Sequence, residues 1–527
     1  MPKNVLLLNR AGLIGWLKLR RNALLLATFM AGLAFVLLLN LTHLLKNPSL
    51  TNYQQGQNLY SNGHYSASLP LLKQAIAAND SDQLVARLSL ADSYLALAQP
   101  LEAEAQLKLV LYYQPQNIKA LYLCGQVFLQ ENRPYDAENA WYKAVQLNQT
   151  DLASVQARLA LGEHYFRTGR YEDAAGLIYK ALVQGRNRLR TDDLQRAYYL
   201  YALDLAHDGR YNEAADELER VINLSTSKQG RQENGRVQNN LAELTTRANL
   251  MLPSLLEARD ETIEAARRAK LGYAYLLANE YVLAEQQFQR VLQLVPAWAD
   301  MRAYMGLVYW QTGRDTQAVA TFNQAIQTDA NSKLARQLLA EYDLAQVQSY
   351  QPGVGNPTLV KAQITQAHIL LTQLNNQYPQ AALTELDLAQ LDVAERSYTD
   401  AIAHYQRAIS LTGGQPIHGL NPGVQLVQLY TDQGIDPCGR GLKTSAQTLQ
   451  NTPTDPTAWY EAGLNYFVCR QPELAIQDLQ KSLQLRPNSP QTLYRLALIY
   501  QTQGDQNQAD SLFEQVQDLD SNSHWPH

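Results

Sequence analysis

The chain has 527 residues, of which 46% are hydrophobic, with 44 basic and 49 acidic side chains. A single hydrophobic core stops growing at about 250–300 residues, so this length predicts several domains or a repeat array. The apolar content excludes a disordered chain, and 27 glycines with 20 prolines are too few for a turn-rich all-β fold.

The first predicted element is a transmembrane helix over residues 23–45. The segment from Ala23 to Leu39 reads ALLLATFMAGLAFVLLL. Twenty-three helical residues rise about 35 Å, which is enough to cross a hydrocarbon core of about 30 Å. The alternative is a cleaved signal peptide, whose apolar stretch usually spans about 7–15 residues and ends at a small-residue cleavage motif. No such motif follows at Lys46-Asn47-Pro48-Ser49, so we favour the anchor.

Charge asymmetry predicts the orientation of this helix. Residues 1–46 contain six basic residues and no acidic one, and five of the six precede the apolar segment. The positive-inside rule therefore predicts a cytoplasmic basic N-terminus, residues 1–22, in a single-pass protein of the inner or plasma membrane. Residues 46–527 would be periplasmic or extracellular. The rest of the chain keeps 38 basic against 49 acidic residues, net −11, and this disfavours nucleic-acid binding.

A pattern of small and aromatic residues recurs after the predicted anchor. Around Gly463, Trp459 lies four residues before the glycine and Tyr466 three after it, and Ala475 and Pro487 complete the unit. This is the pattern of the tetratricopeptide repeat, and from residue 49 to 523 the sequence resembles that family. Ten further copies are centred on equivalent small or branched residues: Gly56, Ala91, Gly125, Gly162, Ala202, Gly272, Gly306, Ala389, Val427 and Ala497.

The resemblance implies an all-α fold, a right-handed superhelical solenoid of helix pairs. No pair buries its apolar face alone, so stacked pairs would build one continuous core. The predicted repeat blocks are 46–229, 261–348 and 358–523, followed by a tail at 524–527. An irregular insertion at 230–260 and a loop at 349–357 separate the blocks. These insertions are tolerated loops, hinges or partner contacts, and we favour tolerated loops.

The resemblance also implies a partner-binding groove along the first helix of each pair. Positions three before, one after and four after each small residue are expected to face it, including Gln126, Leu129, Leu159 and Glu163. We expect about half of these side chains to pack between repeats instead. The aromatic candidates are Tyr53, Tyr60, Tyr122, Phe166, Tyr199, Tyr273, Trp310, Tyr460, Phe467 and Tyr494.

The residue types at these positions narrow the class of ligand. Family members that clamp chaperone tails need lysine and asparagine on this face, and the candidate positions hold neither, so that ligand is disfavoured. Tyrosine, glutamine and apolar groups favour peptide segments or partner helices, since tyrosine offers a large contact area at low entropic cost. The predicted partners are therefore proteins.

The three cysteines are expected to have different roles. Cys124 precedes Gly125 on a packed helix face, so it is expected to be a small core residue. Cys438 and Cys469 are expected on neighbouring turns of consecutive helix pairs. On an oxidising side of a membrane they could form a disulfide, and two unrelated thiols are the alternative. We favour the disulfide.

No residue pattern predicts catalysis. The nine histidines are scattered, and the sequence contains neither H-E-x-x-H nor G-x-S-x-G. We therefore expect no enzyme, no cofactor and no metal site. The sequence predicts a membrane-anchored scaffold that binds other proteins in the cell envelope. The alternative is an accessory subunit of an envelope glycan- or pilus-assembly system that contacts saccharide or enzyme partners.

Overall fold

The structure is a computed structural model that describes residues 48–78, 83–147, 149–226, 235–350 and 356–519. The predicted N-terminal segment 1–22, the predicted transmembrane helix 23–45 and the tail 524–527 lie outside the described residues. Among the helices that are described, none has both the length and the hydropathy that crossing a membrane requires.

The described residues form 25 α-helices and one short π-helix and contain no β-strand, so the predicted all-α class is confirmed. The π-helix spans Pro437–Gly441. The first eleven helices are α1 Pro48–Ser61, α2 Tyr65–Ala77, α3 Gln83–Ala96, α4 Pro100–Tyr113, α5 Ile118–Gln130, α6 Pro134–Gln146, α7 Leu152–Arg167, α8 Tyr171–Gly185, α9 Thr191–His207, α10 Tyr211–Thr226 and α11 Gly235–Asp260. The others are α12 Glu264–Leu277, α13 Tyr281–Leu294, α14 Ala299–Gln311, α15 Asp315–Thr328, α16 Lys333–Gln348, α17 Pro357–Gln377, α18 Ala382–Ala394, α19 Tyr398–Thr412, α20 Pro422–Asp432, α21 Leu442–Asn451, α22 Pro456–Val468, α23 Pro472–Leu485, α24 Pro490–Gln503 and α25 Gln506–Leu519.

The chain divides into two compact units, residues 1–260 and 261–527. In the first unit, α1 to α10 form five antiparallel pairs, and α11 packs on the last of them. In the second unit, α12 to α25 form seven pairs. Each small residue that marks a copy of the sequence pattern lies in the first helix of a pair. The helices α16 and α17 form a further pair in the stretch where the pattern is degenerate.

Gly125 illustrates why the pattern requires a small residue in each first helix. A Cβ atom at this position would overlap the indole ring of Trp141 on α6. At Gly306 a Cβ atom would lie 2.6 Å from Cε1 of Phe322, which is fully buried between α14 and α15. The missing side chain therefore lets an aromatic ring of the second helix reach the first helix backbone. This close approach explains the recurring pairing of a glycine with an aromatic or leucine side chain sixteen residues later.

The two predicted insertions have different outcomes. The prediction of an irregular insertion at 230–260 is wrong over most of its length, because α11 is continuous and includes Pro253. An interior proline costs a helix about 3 kcal/mol, but each fully buried leucine or methionine contributes about 1.5–3 kcal/mol. The buried face that stabilises α11 consists of Leu241, Ala248, Met251, Leu255 and Ala258.

The loop predicted at 349–357 lies between the end of α16 and the start of α17, and its residues 351–355 are outside the described part of the chain.

Candidate partner-binding grooves

The first helices of the first unit lie beside one another. Contacts join α1 to α3, α3 to α5, α5 to α7 and α7 to α9. We call the surface that these five helices share the first groove. In the second unit, contacts join α14 to α16, α16 to α18, and α20 to α22. We call the surface lined by α16, α18, α20 and α22 the second groove.

Predicted groove residues from two repeats come together in the first groove. Tyr122, Gln126 and Leu129 on α5, with Leu159 and Glu163 on α7, line a cavity of about 200 Å³. These side chains occupy the offsets that the sequence pattern selected. The cavity lining combines aromatic and aliphatic side chains with amide and charged groups, and the exposed arginines among them form its rim. Such a combination is typical of sites that bind part of a polypeptide.

Two charged residues of α9 complete this cavity, and the sequence analysis missed both. Asp193 and Arg196 line it with the residues of α5 and α7. Asp193 lies six residues and Arg196 three residues before Tyr199, so the same helical face extends to them by two turns and by one turn. A search along that face for further polar residues would have found them. The three offsets that predict groove residues reach only the helical turns next to the small residue.

An ion-pair network spans the rim of the cavity. Arg196 lies 2.7 Å from Oδ1 of Asp193 and 3.5 Å from Oε2 of Glu163. Arg167 Nη2 donates to Oε1 of Glu163 at 2.9 Å. Burial raises the pKa of Asp193, although the neighbouring Arg196 acts in the opposite direction. The rim therefore holds cations and carboxylates in fixed positions without a large excess of either sign.

Tyr60 connects three successive repeats of the first groove. Its hydroxyl on α1 donates a hydrogen bond of 2.5 Å to Oδ2 of Asp92 on α3. Lys119 on α5 lies 4.0 Å from the same carboxylate and 5.6 Å from the centre of the Tyr60 ring. Burial, and then the charge of Asp92, raise the pKa of the Tyr60 hydroxyl. Tyr60 is thus a half-buried residue that ties repeats together at the groove surface.

The ten aromatic candidates differ in how much surface they offer to a partner. Phe166 and Tyr199 are only 6% and 2% exposed, so the structure places them in the core rather than on the groove surface. The ring of Phe166 packs edge-on against Tyr171 at 5.2 Å. Tyr273 and Phe467 are the most exposed, at 36% and 37%. The other six are half-buried: Tyr53, Tyr60, Tyr122, Trp310, Tyr460 and Tyr494.

The second groove contains three adjoining cavities that the sequence analysis did not anticipate. Their volumes are about 360, 880 and 550 Å³, and Leu420 lines all three. Gln348 and Gln390 line both the first and the second cavity, and Gln425 and Gln428 line both the second and the third. Gln390 and Gln428 occupy the offset directly after the small residue of their repeats, so extending the same offsets to these copies would have found them.

The predicted pair Cys438 and Cys469 is joined by a disulfide in the structure. The two Cα atoms lie 5.5 Å apart, and the sulfurs are bonded. Cys438 lies in the π-helix before α21, and Cys469 directly follows α22. The bond therefore links one helix pair to the next at their turns. Cys124 is a buried free thiol, as expected for a core residue, and burial raises the pKa of this thiol to about 12.

One group of side chains among the described residues has the geometry of a metal-binding set. His368, Asp392 and Glu395 each offer one ligand atom, and these atoms all lie within 4.8 Å of one another. His368 Nε2 already contacts Oε2 of Glu395 at 2.7 Å, so a metal ion would have to replace this ion pair. The sequence predicted no metal site, because these three residues, on α17 and at the end of α18, form no ligand motif along the chain.

Comparisons with known proteins identify the repeats. The tetratricopeptide repeat family matches residues 53–107, 88–151, 148–193 and 269–333, and a second model of that repeat matches 490–523. These segments carry tetratricopeptide repeats, as the small-residue pattern predicted. No curated protein matches the chain.

Several solved structures resemble the chain at low identity. The APC/C hetero-tetramer Cut9–Hcn1 is 15% identical, with 84% of this chain and 95% of that chain covered, at a TM-score of 0.38. Yeast Tom70 is 13% identical, with 90% and 99% covered, at a TM-score of 0.36. MamA from Desulfovibrio magneticus RS-1 is 16% identical, with 36% and 98% covered, at a TM-score of 0.28.

Proposed function

We propose that this chain of tetratricopeptide repeats is a non-catalytic scaffold whose first groove holds segments of partner proteins. The repeats support a role in protein–protein interaction. The observation that carries the proposal is the convergence of Tyr122, Gln126 and Leu129 with Leu159 and Glu163 on one cavity. Each of these residues sits on the first helix of its pair, where stacked repeats form a continuous surface.

The composition of the first groove favours a polypeptide ligand. Apolar and aromatic groups in the lining provide burial, which contributes about 25 cal/mol per Å² of apolar surface removed from water. The carboxylate of Glu163 and the guanidinium of Arg196 stand at the rim, where they can meet polar groups of a bound segment. Arg196 pairs with Asp193 and Glu163, and Arg167 pairs with Glu163, so neither arginine described in the lining of this cavity is left to bind a lone carboxylate. This arrangement disfavours a terminal carboxylate as the main ligand group.

The proposed scaffold acts at a membrane. Residues 23–45 form its anchor, and the positive-inside rule places the repeats outside the cytoplasm, in the cell envelope of a bacterium. The disulfide between Cys438 and Cys469 is consistent with that compartment, because disulfides persist in oxidising environments and are rare in the cytosol. The partners would then be envelope proteins or the exposed domains of other membrane proteins.

Affinity capture with matched variants tests the first groove. Leu129 is an exposed residue that lines the cavity, and Tyr135 is an exposed residue at the start of the second helix α6. We expect the full-length Leu129→Glu variant, solubilised from its own membranes, to lose partners that the Tyr135→Glu variant retains. Both variants should fold, since neither side chain is buried. If the two variants capture the same proteins in the same amounts, the first groove is not the binding surface.

A further inference from the structure

The second groove carries one carboxylate on each of four first helices. Glu341 lies on α16, Asp387 on α18, Asp432 on α20 and Glu461 on α22. Glu341 and Asp387 line the first of the three adjoining cavities, Asp432 the second and Glu461 the third. The cavities share lining residues, so the carboxylates follow one continuous channel, whose lining also includes Asp455 and two exposed arginines, Arg396 and Arg486. Within the described part of the chain, none of the four makes an ion pair with a lysine or an arginine.

The carboxylate of Glu461 is the clearest sign of a missing partner. Glu461 is 8% exposed and lines its cavity, and it accepts no hydrogen bond from any described residue. The charges that face it are Asp432, which repels it, and Arg495, whose guanidinium hydrogen-bonds the hydroxyl of Tyr460. Burial, and then Asp432, raise the pKa of Glu461 to about 7. A buried carboxylate without a partner is costly, and a cation arriving from outside would offset that cost.

At the other end of the channel, two carboxylates line a cavity together with one histidine. Asp387 is 3% exposed and accepts a hydrogen bond from the neutral amide of Gln337. Burial, and then the charge of Glu341, raise the pKa of Asp387 well above its usual value. The nearby His418 lowers the pKa of Glu341 against the larger effect of burial, and it lies on the tight turn between α19 and α20. Glu341, Asp387 and His418 thus line one cavity.

A ladder of glutamine side chains runs between these carboxylates. Gln348 Nε2 donates to Oε1 of Gln390 at 3.2 Å, and Gln390 Nε2 donates to Oε1 of Gln425 at 3.0 Å. Each amide in the ladder keeps further donor and acceptor capacity, because a glutamine offers two N–H groups and two lone pairs. Successive amides along a channel can bond the alternating N–H and C=O groups of an extended backbone. They favour a polypeptide over a compact small molecule.

We propose that the second groove binds an extended segment of a partner protein whose lysine or arginine side chains enter the carboxylate cavities, while the glutamine ladder bonds its backbone. This inference rests on the proposed scaffold function and names the chemistry of one partner class. The charge pattern of the second groove differs from that of the first groove, whose rim charges are paired within the protein. The two grooves therefore select different segments.

A labelled peptide of alternating lysine and alanine, twelve residues long, tests the charge requirement against the purified full-length chain in detergent. We expect it to bind, and a peptide of alternating glutamate and alanine not to bind. The double variant Asp432→Asn/Glu461→Gln should weaken binding about tenfold or more, since hydrogen bonds to charged groups contribute about 1.5–3 kcal/mol. The single variant Asp432→Asn changes an exposed residue and provides the same test without touching the buried site.

The matched control is Asp400→Asn/Glu473→Gln, which removes the same two charges from exposed positions on the second helices α19 and α23. It should bind the lysine peptide as the unmodified chain does. Equal weakening in the control and the groove variant would overturn the proposal, because it would reduce binding to net charge. So would unchanged binding in the Asp432→Asn and double variants alike.

Two further measurements identify the kind of ligand and show whether a negative result overturns this inference alone or the scaffold function as well. Spermine carries positive charges without a peptide backbone, and we expect it to compete weakly. If spermine binds as tightly as the lysine peptide, the site takes small polyamines and the polypeptide assignment is wrong. Partner capture that depends on Leu129 but not on Asp432 or Glu461 would retain the scaffold function and overturn only this inference. If partner capture is unchanged in the Leu129 variant and in the Asp432 and Glu461 variants, both the scaffold function and this inference are overturned.

Discussion

The indole nitrogen of Trp141 donates a hydrogen bond of 3.1 Å to the backbone carbonyl oxygen of Tyr122. Trp141 is buried on the second helix α6, and Tyr122 lies on the first helix α5 at the cavity of the first groove. The indole ring of Trp141 occupies the space in which a side chain at position 125 would lie, and Gly125 leaves this space free. Core packing within one repeat thus holds in place the backbone that presents a groove residue.

This relationship predicts that Gly125→Ala destabilises the first unit. The new methyl group would overlap the Trp141 ring, and overpacking of a core typically costs about 1–3 kcal/mol. Gly176→Ala on α8 is the matched control, because nothing lies within 4 Å of a Cβ atom there. That change should stabilise by up to about 1 kcal/mol, since alanine is the better helix former. Thermal unfolding of both full-length variants, followed by circular dichroism, gives the comparison. A Gly125→Ala chain as stable as the control would contradict the packing account.

The disulfide predicts the number of reactive thiols. In denaturant without reductant, an alkylating agent should modify one cysteine, Cys124, and after reduction it should modify all three. With a sequence separation of 31 between its cysteines, the bond should contribute about 3–4 kcal/mol in the chain-entropy model. Cys438→Ser and Cys469→Ser should each lower stability by that order. Mass spectrometry reads the alkylation, and three modified thiols before reduction would show that the bond does not form in the cell.

Asp343 on α16 predicts a pH dependence of stability. It is buried, one of its oxygens has no hydrogen-bond partner among the described residues, and burial raises its pKa to about 7. The unfolded chain has the ordinary value of about 4, so the native state binds the proton more tightly. Protonation of Asp343 therefore stabilises the native state. This contribution to the free energy of unfolding is fully present below about pH 4 and is lost as the pH rises through about 7.

The variant Asp343→Asn should therefore be more stable than the unmodified chain at pH 8, by about 2–4 kcal/mol, and this advantage should shrink to about 1 kcal/mol at pH 5. Asp400→Asn removes an exposed carboxylate and serves as the control, with no comparable change expected. Chemical denaturation at several pH values measures the difference. A constant difference between pH 5 and pH 8 would mean that Asp343 does not titrate in this way.

The aromatic candidates should separate into two classes by mutation. Phe166→Ala and Tyr199→Ala each remove a buried ring and should cost about 3–5 kcal/mol of stability through the cavity left behind. Tyr273→Ala and Phe467→Ala remove exposed rings and should leave stability within about 0.5 kcal/mol. Melting temperatures of the four variants decide the classification. If Tyr199→Ala melts as the unmodified chain does, its assignment to the core is wrong.

The proposed anchor predicts where the repeats reside. Protease added to spheroplasts should degrade residues 46–527 and leave a cytoplasmic marker intact, because the basic N-terminus is retained inside. The N-terminal sequence of the mature protein should begin upstream of residue 23. Full protection of the chain would contradict the orientation, and a mature N-terminus near residue 46 would indicate a cleaved signal peptide.

Much of the fold could be predicted from sequence because its rule is local. A small residue in the first helix and a large one sixteen positions later meet within one helix pair, so Gly125 with Trp141 and Gly306 with Phe322 are visible as spacing. The helix α11 could not be predicted this way. It tolerates Pro253 only because its buried face packs on α9 and α10, which is a tertiary effect.

The sites were predictable only in part for a similar reason. Offsets from the small residue located Tyr122 and Glu163 correctly, but they gave no measure of depth, and Phe166 lies at a selected offset while packing in the core. The second groove depends on residues far apart in sequence, since Leu420 on a turn and Glu461 on α22 meet only after folding. The unpaired state of Glu461 likewise results from what surrounds it, and spacing along the chain does not encode it.

Site-specific photo-crosslinking in living cells tests the central claim, that the first helices form the partner-binding surface, most directly. A photoreactive amino acid would replace Leu129 or Gln126 on α5, and in parallel Tyr135 or Tyr142 on the second helix α6. The account predicts that irradiation joins a partner protein to the chain from the two α5 positions and not from the two α6 positions. Adducts that form from α6 while α5 remains silent would contradict the account.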